Sequence, residues 1–289
     1  MRYEGIVYRP PSEARSLIIQ VTIGCAHNTC VFCNMYRTKH FRIRKMDEIK
    51  QDILEGLTYY GQSIEKVFLA DGDALCMPTE QMRDILQFIR EKMPWVQRIS
   101  AYATTQDILE KSEEELRGIR DAGLQLLYIG AESGDDEVLR SMAKGVTAAQ
   151  IGEAGEKAKK CGFQTSVTLI SGLGSRERKR EHALCSARLI SRMKPDYLGF
   201  LTLMLEEPAP ICRLVERGDF ILLTPQEVME EMEIFLSNVD SDGTVFRANH
   251  ASNYVNLSGT LNEDRLKLLE RIRAAMKNTE YKPEYFRGL

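Results

Sequence analysis

The chain has 289 residues, 43% of them hydrophobic and 28% charged, with a net charge of −3; these are the proportions of a globular protein, long enough for one large α/β domain or two small ones. So even a charge balance gives no broad positive field to recruit nucleic acid or an anionic membrane. No run approaches the roughly 18 apolar residues of a membrane span, and the opening Met-Arg-Tyr-Glu-Gly lacks the apolar core of a signal peptide, so a cytoplasmic location is expected.

Strand-like and helix-like segments alternate along the chain. Residues 17–24 form a compact apolar run suited to a strand buried on both faces. A helix is predicted over 46–60, a strand over 67–71, and a helix over 78–93 with Pro78 in its first turn. A strand over 98–104 precedes a helix over 112–122, where Ser112 caps and Glu115 stands three residues on. The alternation continues with a strand at 125–132, helical pieces over 135–161, a strand at 164–171 and a helix at 176–193. The basic residues Arg176, Arg178, Lys179 and Arg180 read as the solvated start of that helix. A strand at 197–205, a helix at 225–237, a seventh strand near 244–249 and a closing helix over 262–277 complete the chain. Six βα units of this kind predict a parallel sheet with right-handed crossovers. With no linker or low-complexity tract, one domain over 1–289 is expected, either doubly wound or a complete or partial barrel.

Seven cysteines are present, and three of them fall in the loop after the first strand, Gly24-Cys25-Ala26-His27-Asn28-Thr29-Cys30-Val31-Phe32-Cys33. Thiolates this close suit a soft metal centre. Three ligands are one short of a tetrahedral zinc site or a [4Fe–4S] cube, and no neighbouring cysteine completes either. A vacant position on the metal is what a catalytic centre needs. Two other readings stand beside it: a zinc-binding structural or regulatory protein, with His27 or His40 as fourth ligand, and an iron–sulfur electron carrier.

A strand, a C-x4-C-x2-C loop and an aromatic residue before the last cysteine resemble the signature of the radical S-adenosylmethionine (SAM) superfamily, whose usual spacing is one residue shorter. Later motifs agree in order. Ala70-Asp71-Gly72-Asp73-Ala74 stands where that superfamily has a Gly-Gly-Glu-like motif. Ile129-Gly130-Ala131-Glu132-Ser133-Gly134 is similar to its G-[LA]-E-S-G strand ending. Thr168-Leu169-Ile170-Ser171-Gly172-Leu173-Gly174 resembles G-x-I-x-G-x-x-E, with Thr168 replacing Gly, Ser175 replacing Glu, and Glu177 two residues late. Leu203-Met204-Leu205 is similar to the apolar segment beside the adenine. The resemblance spans about residues 17–210. It implies an α/β fold, a partial (βα)6 TIM-type barrel with a C-terminal strand and helix extension over about 211–289 that covers the site.

The resemblance further implies that Cys25, Cys30 and Cys33 ligate a [4Fe–4S] cluster and that SAM chelates the fourth iron. Phe32, Asp71, Gly72, Asp73, Glu132, Ser133, Ile170, Gly172, Leu203 and Met204 would then contact SAM. A reducing partner such as flavodoxin or ferredoxin is expected, as is sensitivity to oxygen. The segment from Leu139 to Thr147 and the turn Glu207-Pro208-Ala209-Pro210 most resemble the branch holding oxygen-independent coproporphyrinogen dehydrogenases and methylthiotransferases. The substrate stays unassigned, a small molecule or a peptide; no tRNA-binding appendage or second-cluster motif is recognised. Tyr36 and Tyr102 are candidate cavity-lining groups, and Cys76 a candidate hydrogen donor or radical relay. Arg247, Asn249, His250 and Asn253, near the seventh strand's end, are expected to form a substrate-recognition cluster, with Arg247 for an anionic group and His250 for proton transfer.

Overall fold

The computed structural model describes residues 1–288. The chain forms two compact units: residues 1–28, 35–129 and 157–165 make the first, and residues 29–34, 130–156 and those from 166 onward make the second.

In the first unit, β1 (Leu17–Gln20) is followed by a small antiparallel pair, β2 (Thr22–Ile23) and β3 (Arg42–Ile43). Helix α1 (Met46–Tyr60), strand β4 (Lys66–Ala70), helix α2 (Thr79–Lys92), strand β5 (Arg98–Ala103), helices α3 (Thr105–Glu110) and α4 (Glu113–Ala122), and strand β6 (Leu124–Glu132) come next. β1 lies parallel to β4 with Leu17 opposite Val67, and β4 parallel to β5 with Val67 opposite Ile99. Val67, Phe68, Leu69 and Ala70 are all fully buried, the unbroken apolar pattern of a strand covered on both faces. Burying a side chain such as Phe68 stabilises the fold by about 1.5–3 kcal/mol.

After β6 come α5 (Asp136–Ser141), α6 (Ala148–Lys160) and β7 (Gln164–Ser171). The second unit continues with α7 (Lys179–Met193), β8 (Tyr197–Thr202), α8 (Pro210–Glu216), α9 (Pro225–Asn238), β9 (Val245–Ala248), β10 (Leu257–Thr260) and α10 (Arg265–Asn278). β7, β8 and β9 run parallel and β10 is antiparallel to β9. Eight strands form one sheet in the order β1-β4-β5-β6-β7-β8-β9-β10. Six parallel strands, each followed by helix, plus a C-terminal strand and helix extension, are the α/β architecture expected.

Differences from the sequence-based boundaries have local causes. The first strand is two pieces, because Val21 turns its N–H to Ala70 O of β4 and its carbonyl to Arg44 N. Pro78 is the cap before α2 rather than a first-turn residue. The helix expected from 176 starts at Lys179, and the strand expected to 205 ends at Thr202. Four elements were not foreseen: β3, α3, α8 and β10.

Candidate active site

Cys25 follows Gly24, the residue after β2, and the backbone there is pinned from beneath. The Asp71 carboxylate, just past β4 and fully buried, accepts from Gly24 N at 3.0 Å, Gln20 Nε2 at 3.1 Å and Lys39 Nζ at 2.7 Å. Asp71 was expected at the SAM ammonium; its contacts instead anchor the start of the cysteine loop. Gly72 beside it is obligatory for packing, because a Cβ there would collide with the Tyr36 ring. Tyr36 is itself buried and packs edge-on to Tyr8, so it covers the loop rather than lining open space. Asn28 Nδ2 donates to Tyr36 O at 2.9 Å. Asp73 is buried, and burial together with a hydrogen bond to Asp107 pushes its carboxyl up to about 9. The Cys76 thiol donates to Asp73 O at 3.0 Å, and burial beside Asp73 and Asp107 raises its pKa. Tyr102 stands in an aromatic trio, its ring 5.0 Å from Phe68 and 6.1 Å from Tyr128.

The second half of the loop belongs to the other unit. Val31 N donates to Met142 O at 2.9 Å, Val31 O accepts from Ile211 N at 3.0 Å, and Asn34 Nδ2 donates to Glu206 Oε2 at 2.7 Å. Phe32 and Ile170 pack against an apolar cluster that includes Val138, Met142, Leu173, Leu203 and Ile211. Cys30 and Cys33 join in a turn, Cys33 N to Cys30 O at 3.2 Å. Cys25, Cys30 and Cys33 are all half-buried and none is in a disulfide.

Glu132 ends β6 in the left-handed region at φ 66°, a strained conformation for a residue with a Cβ and one that concentrates at functional sites. Burial raises its pKa, while Lys144 Nζ, 3.4 Å away, pulls it back. Ser133 is buried, and its Oγ accepts from Asp135 N at 3.0 Å to start α5. A cavity of ≈ 420 Å³ opens beyond the C-terminal ends of β7 and β8; Ser171, Gly172, Thr202, Leu203 and Met204 line it on one side and Tyr254, Glu284 and Arg287 on another. Active sites of βα barrels sit at this end of the strands.

The substrate cluster expected at 247–253 is not assembled. Strand alternation buries Phe246 and Ala248 and turns Arg247 outward, where it is exposed and donates to Phe246 O. Asn249 is exposed. His250 is half-buried with Nδ1 2.9 Å from Ser252 Oγ, and burial with Lys282 nearby lowers its pKa. Asn253 is fully buried, accepting from Thr202 Oγ1 at 2.9 Å and donating to Phe200 O at 2.8 Å. It holds the end of β8 in place. From this region the cavity wall takes Tyr254, with the Arg287 guanidinium 3.9 Å over its ring. Sequence reasoning missed Tyr254 and Arg287, whose only signal was the notion of a closing C-terminal segment.

The donor chemistry fits a cluster: three thiols, outside any disulfide, on a loop whose backbone is fixed while its sulfurs keep partial exposure. Among the described residues no three His, Cys, Asp or Glu side chains gather as a single-ion site; an iron–sulfur cube takes its thiolates one per iron. Among the described residues no helix is long and apolar enough to cross a membrane.

Residues 19–184 match the model of the radical SAM superfamily. The chain is 23% identical over 228 residues to the heme chaperone HemW of Bacillus subtilis, covering 76% of this chain and 58% of that protein. It is 22% identical over 206 residues to an uncharacterised methyltransferase of Pyrococcus horikoshii, covering 69% and 41%. The chain thus spans about half the length of these curated relatives. Among solved structures, methylornithine synthase (PylB) superposes with a TM-score of 0.57 at 17% identity, covering 89% of this chain and 68% of the other. Coproporphyrinogen III oxidase (HemN) of Escherichia coli gives 0.57 at 20% identity, covering 78% and 54%. Those two likenesses establish the partial-barrel fold, and the family match establishes the chemistry's class. The chain is an enzyme of the radical SAM superfamily, with a [4Fe–4S] cluster and S-adenosylmethionine as its cofactors.

Proposed function

We propose that the protein cleaves SAM reductively and that the 5′-deoxyadenosyl radical so formed takes a hydrogen atom from a small-molecule or peptide substrate. When bound, the cluster supplies the single electron that this cleavage requires. Cys25, Cys30 and Cys33 are its ligands, and a small reducing protein of the flavodoxin or ferredoxin type is the donor. Asp73 and Glu132 receive the ammonium and ribose hydroxyls of SAM, where carboxylates form charge-assisted hydrogen bonds. Phe32, Ile170, Gly172, Leu203 and Met204 accommodate the adenosyl part. Leu222, Leu223 and Val228 continue the cavity wall, and this apolar lining, closed by Tyr254 and Arg287 of the C-terminal extension, keeps water from a reactive intermediate.

The observation that carries this reading is the cysteine loop. Its backbone is tied down by Asp71, Met142 and Ile211, while three thiols remain half-buried and outside disulfides. Replacing any one of Cys25, Cys30 and Cys33 by Ala should remove most of the iron after anaerobic reconstitution, read as iron per chain. Full iron in the triple variant would show that the ligands are elsewhere.

A further inference from the structure

We infer that Glu231, from helix α9 of the C-terminal extension, is a positioning residue for SAM, acting through the loop at the end of β7. The inference rests on the assignment of Gly172 and its neighbours to the SAM site. Glu231 is fully buried, and its Oε1 accepts from Ser171 Oγ at 2.7 Å and from Gly172 N at 3.0 Å. Its other oxygen lies 3.5 Å from Nδ1 of His182, a buried side chain of α7. Ser171 and Gly172 both line the cavity. Gly172 lies at φ 88°, so the chain turns sharply there and its amide depends on the partner that receives it. The residue at 175, where the family pattern carries Glu, is Ser, and Glu177 is exposed. The one carboxyl group bonded beneath this loop therefore arrives from 59 residues farther along the chain, outside the 19–184 family match. Loss of its Oε1 leaves a buried amide and a buried hydroxyl without an acceptor, and the loop reorganises to satisfy them.

Two substitutions separate this role from mere core filling. Glu231→Gln keeps both the volume and the Oε1 acceptor; Glu231→Met keeps the volume and has no oxygen. In the protein without cofactors, hydrogen–deuterium exchange over 170–174 should rise about tenfold or more in Glu231→Met and stay close to wild type in Glu231→Gln. In the reconstituted enzyme, SAM Kd by equilibrium binding should weaken roughly tenfold in Glu231→Met and change little in Glu231→Gln. Ser171→Ala, which removes one of the two donors, should give a smaller change in the same direction. Glu231→Met with wild-type exchange and wild-type SAM affinity overturns the inference, as does equal loss in Glu231→Met and Glu231→Gln. Failure of the wild-type reconstituted protein to bind SAM at all would instead overturn the site assignment on which it rests.

Discussion

Asp73 carries a cost that its position explains. Burial and the Asp107 hydrogen bond lift its carboxyl from 3.8 to about 9, so near neutral pH the side chain is held protonated until a cation arrives. Because the folded value lies above the unfolded one, the stability linked to this proton is full below about pH 4 and is lost as pH rises toward 9. Asp73→Asn removes that titration. The variant should match wild type near pH 5 and exceed it by about 1 kcal/mol or more at pH 8.5, measured as urea midpoints, while binding SAM more weakly. A stability difference that does not change between the two pH values would contradict the shifted carboxyl. Glu132 is the complementary case, with Lys144 beside it. Glu132→Gln should weaken SAM binding roughly 10- to 150-fold, the worth of a charge-assisted hydrogen bond; unchanged affinity would remove it from the site.

Elements with a strong local signal were legible, and those held by distant partners were not. Ser112 and Glu115 were read as a capping box, and Ser112 Oγ does accept from Glu115 N at 3.1 Å while Glu115 closes back on Ser112 N at 2.8 Å. Ser112→Ala should cost about 1 kcal/mol, seen in a thermal melt; no loss would mean that α4 is fixed by packing alone. In contrast, β10 reads Leu-Ser-Gly-Thr, with one apolar residue, and exists through its pairing with β9. α3 has six residues, too few to show a helical period. The cysteine loop and the strand-end motifs were recognisable as spacing along the chain. The use of Asp71 as an anchor, Asn253 as a brace beneath β8, and Glu231 beneath β7 were not, since each depends on a partner about 50 or more residues away in sequence. Arg247 illustrates the limit from the other side: a polar residue after an apolar strand start suggested recognition, yet strand alternation turns it to solvent.

In the second unit, the C-terminal extension does more than cap a sheet edge. Lys282 N donates to Tyr254 O at 2.9 Å, Tyr254 Oη donates to Glu284 at 2.6 Å, and Arg287 donates to Ser252 O at 2.7 Å and Leu203 O at 3.3 Å. The terminal segment thereby fastens to the end of β8 and contributes to the cavity wall. Arg287→Ala should accelerate chymotryptic cleavage near Tyr281 and Tyr285 by about tenfold, as local opening becomes easier; an unchanged rate would show that the segment is held by other contacts. All of this architecture is meaningful only if it serves reductive cleavage of SAM. The direct measurement is anaerobic reconstitution with iron and sulfide, addition of SAM and dithionite, and chromatographic assay for 5′-deoxyadenosine. The brown, reconstituted wild-type protein should produce 5′-deoxyadenosine and the Cys25→Ala, Cys30→Ala and Cys33→Ala variants none. A colourless protein that binds zinc, or a brown one that leaves SAM intact, would contradict it.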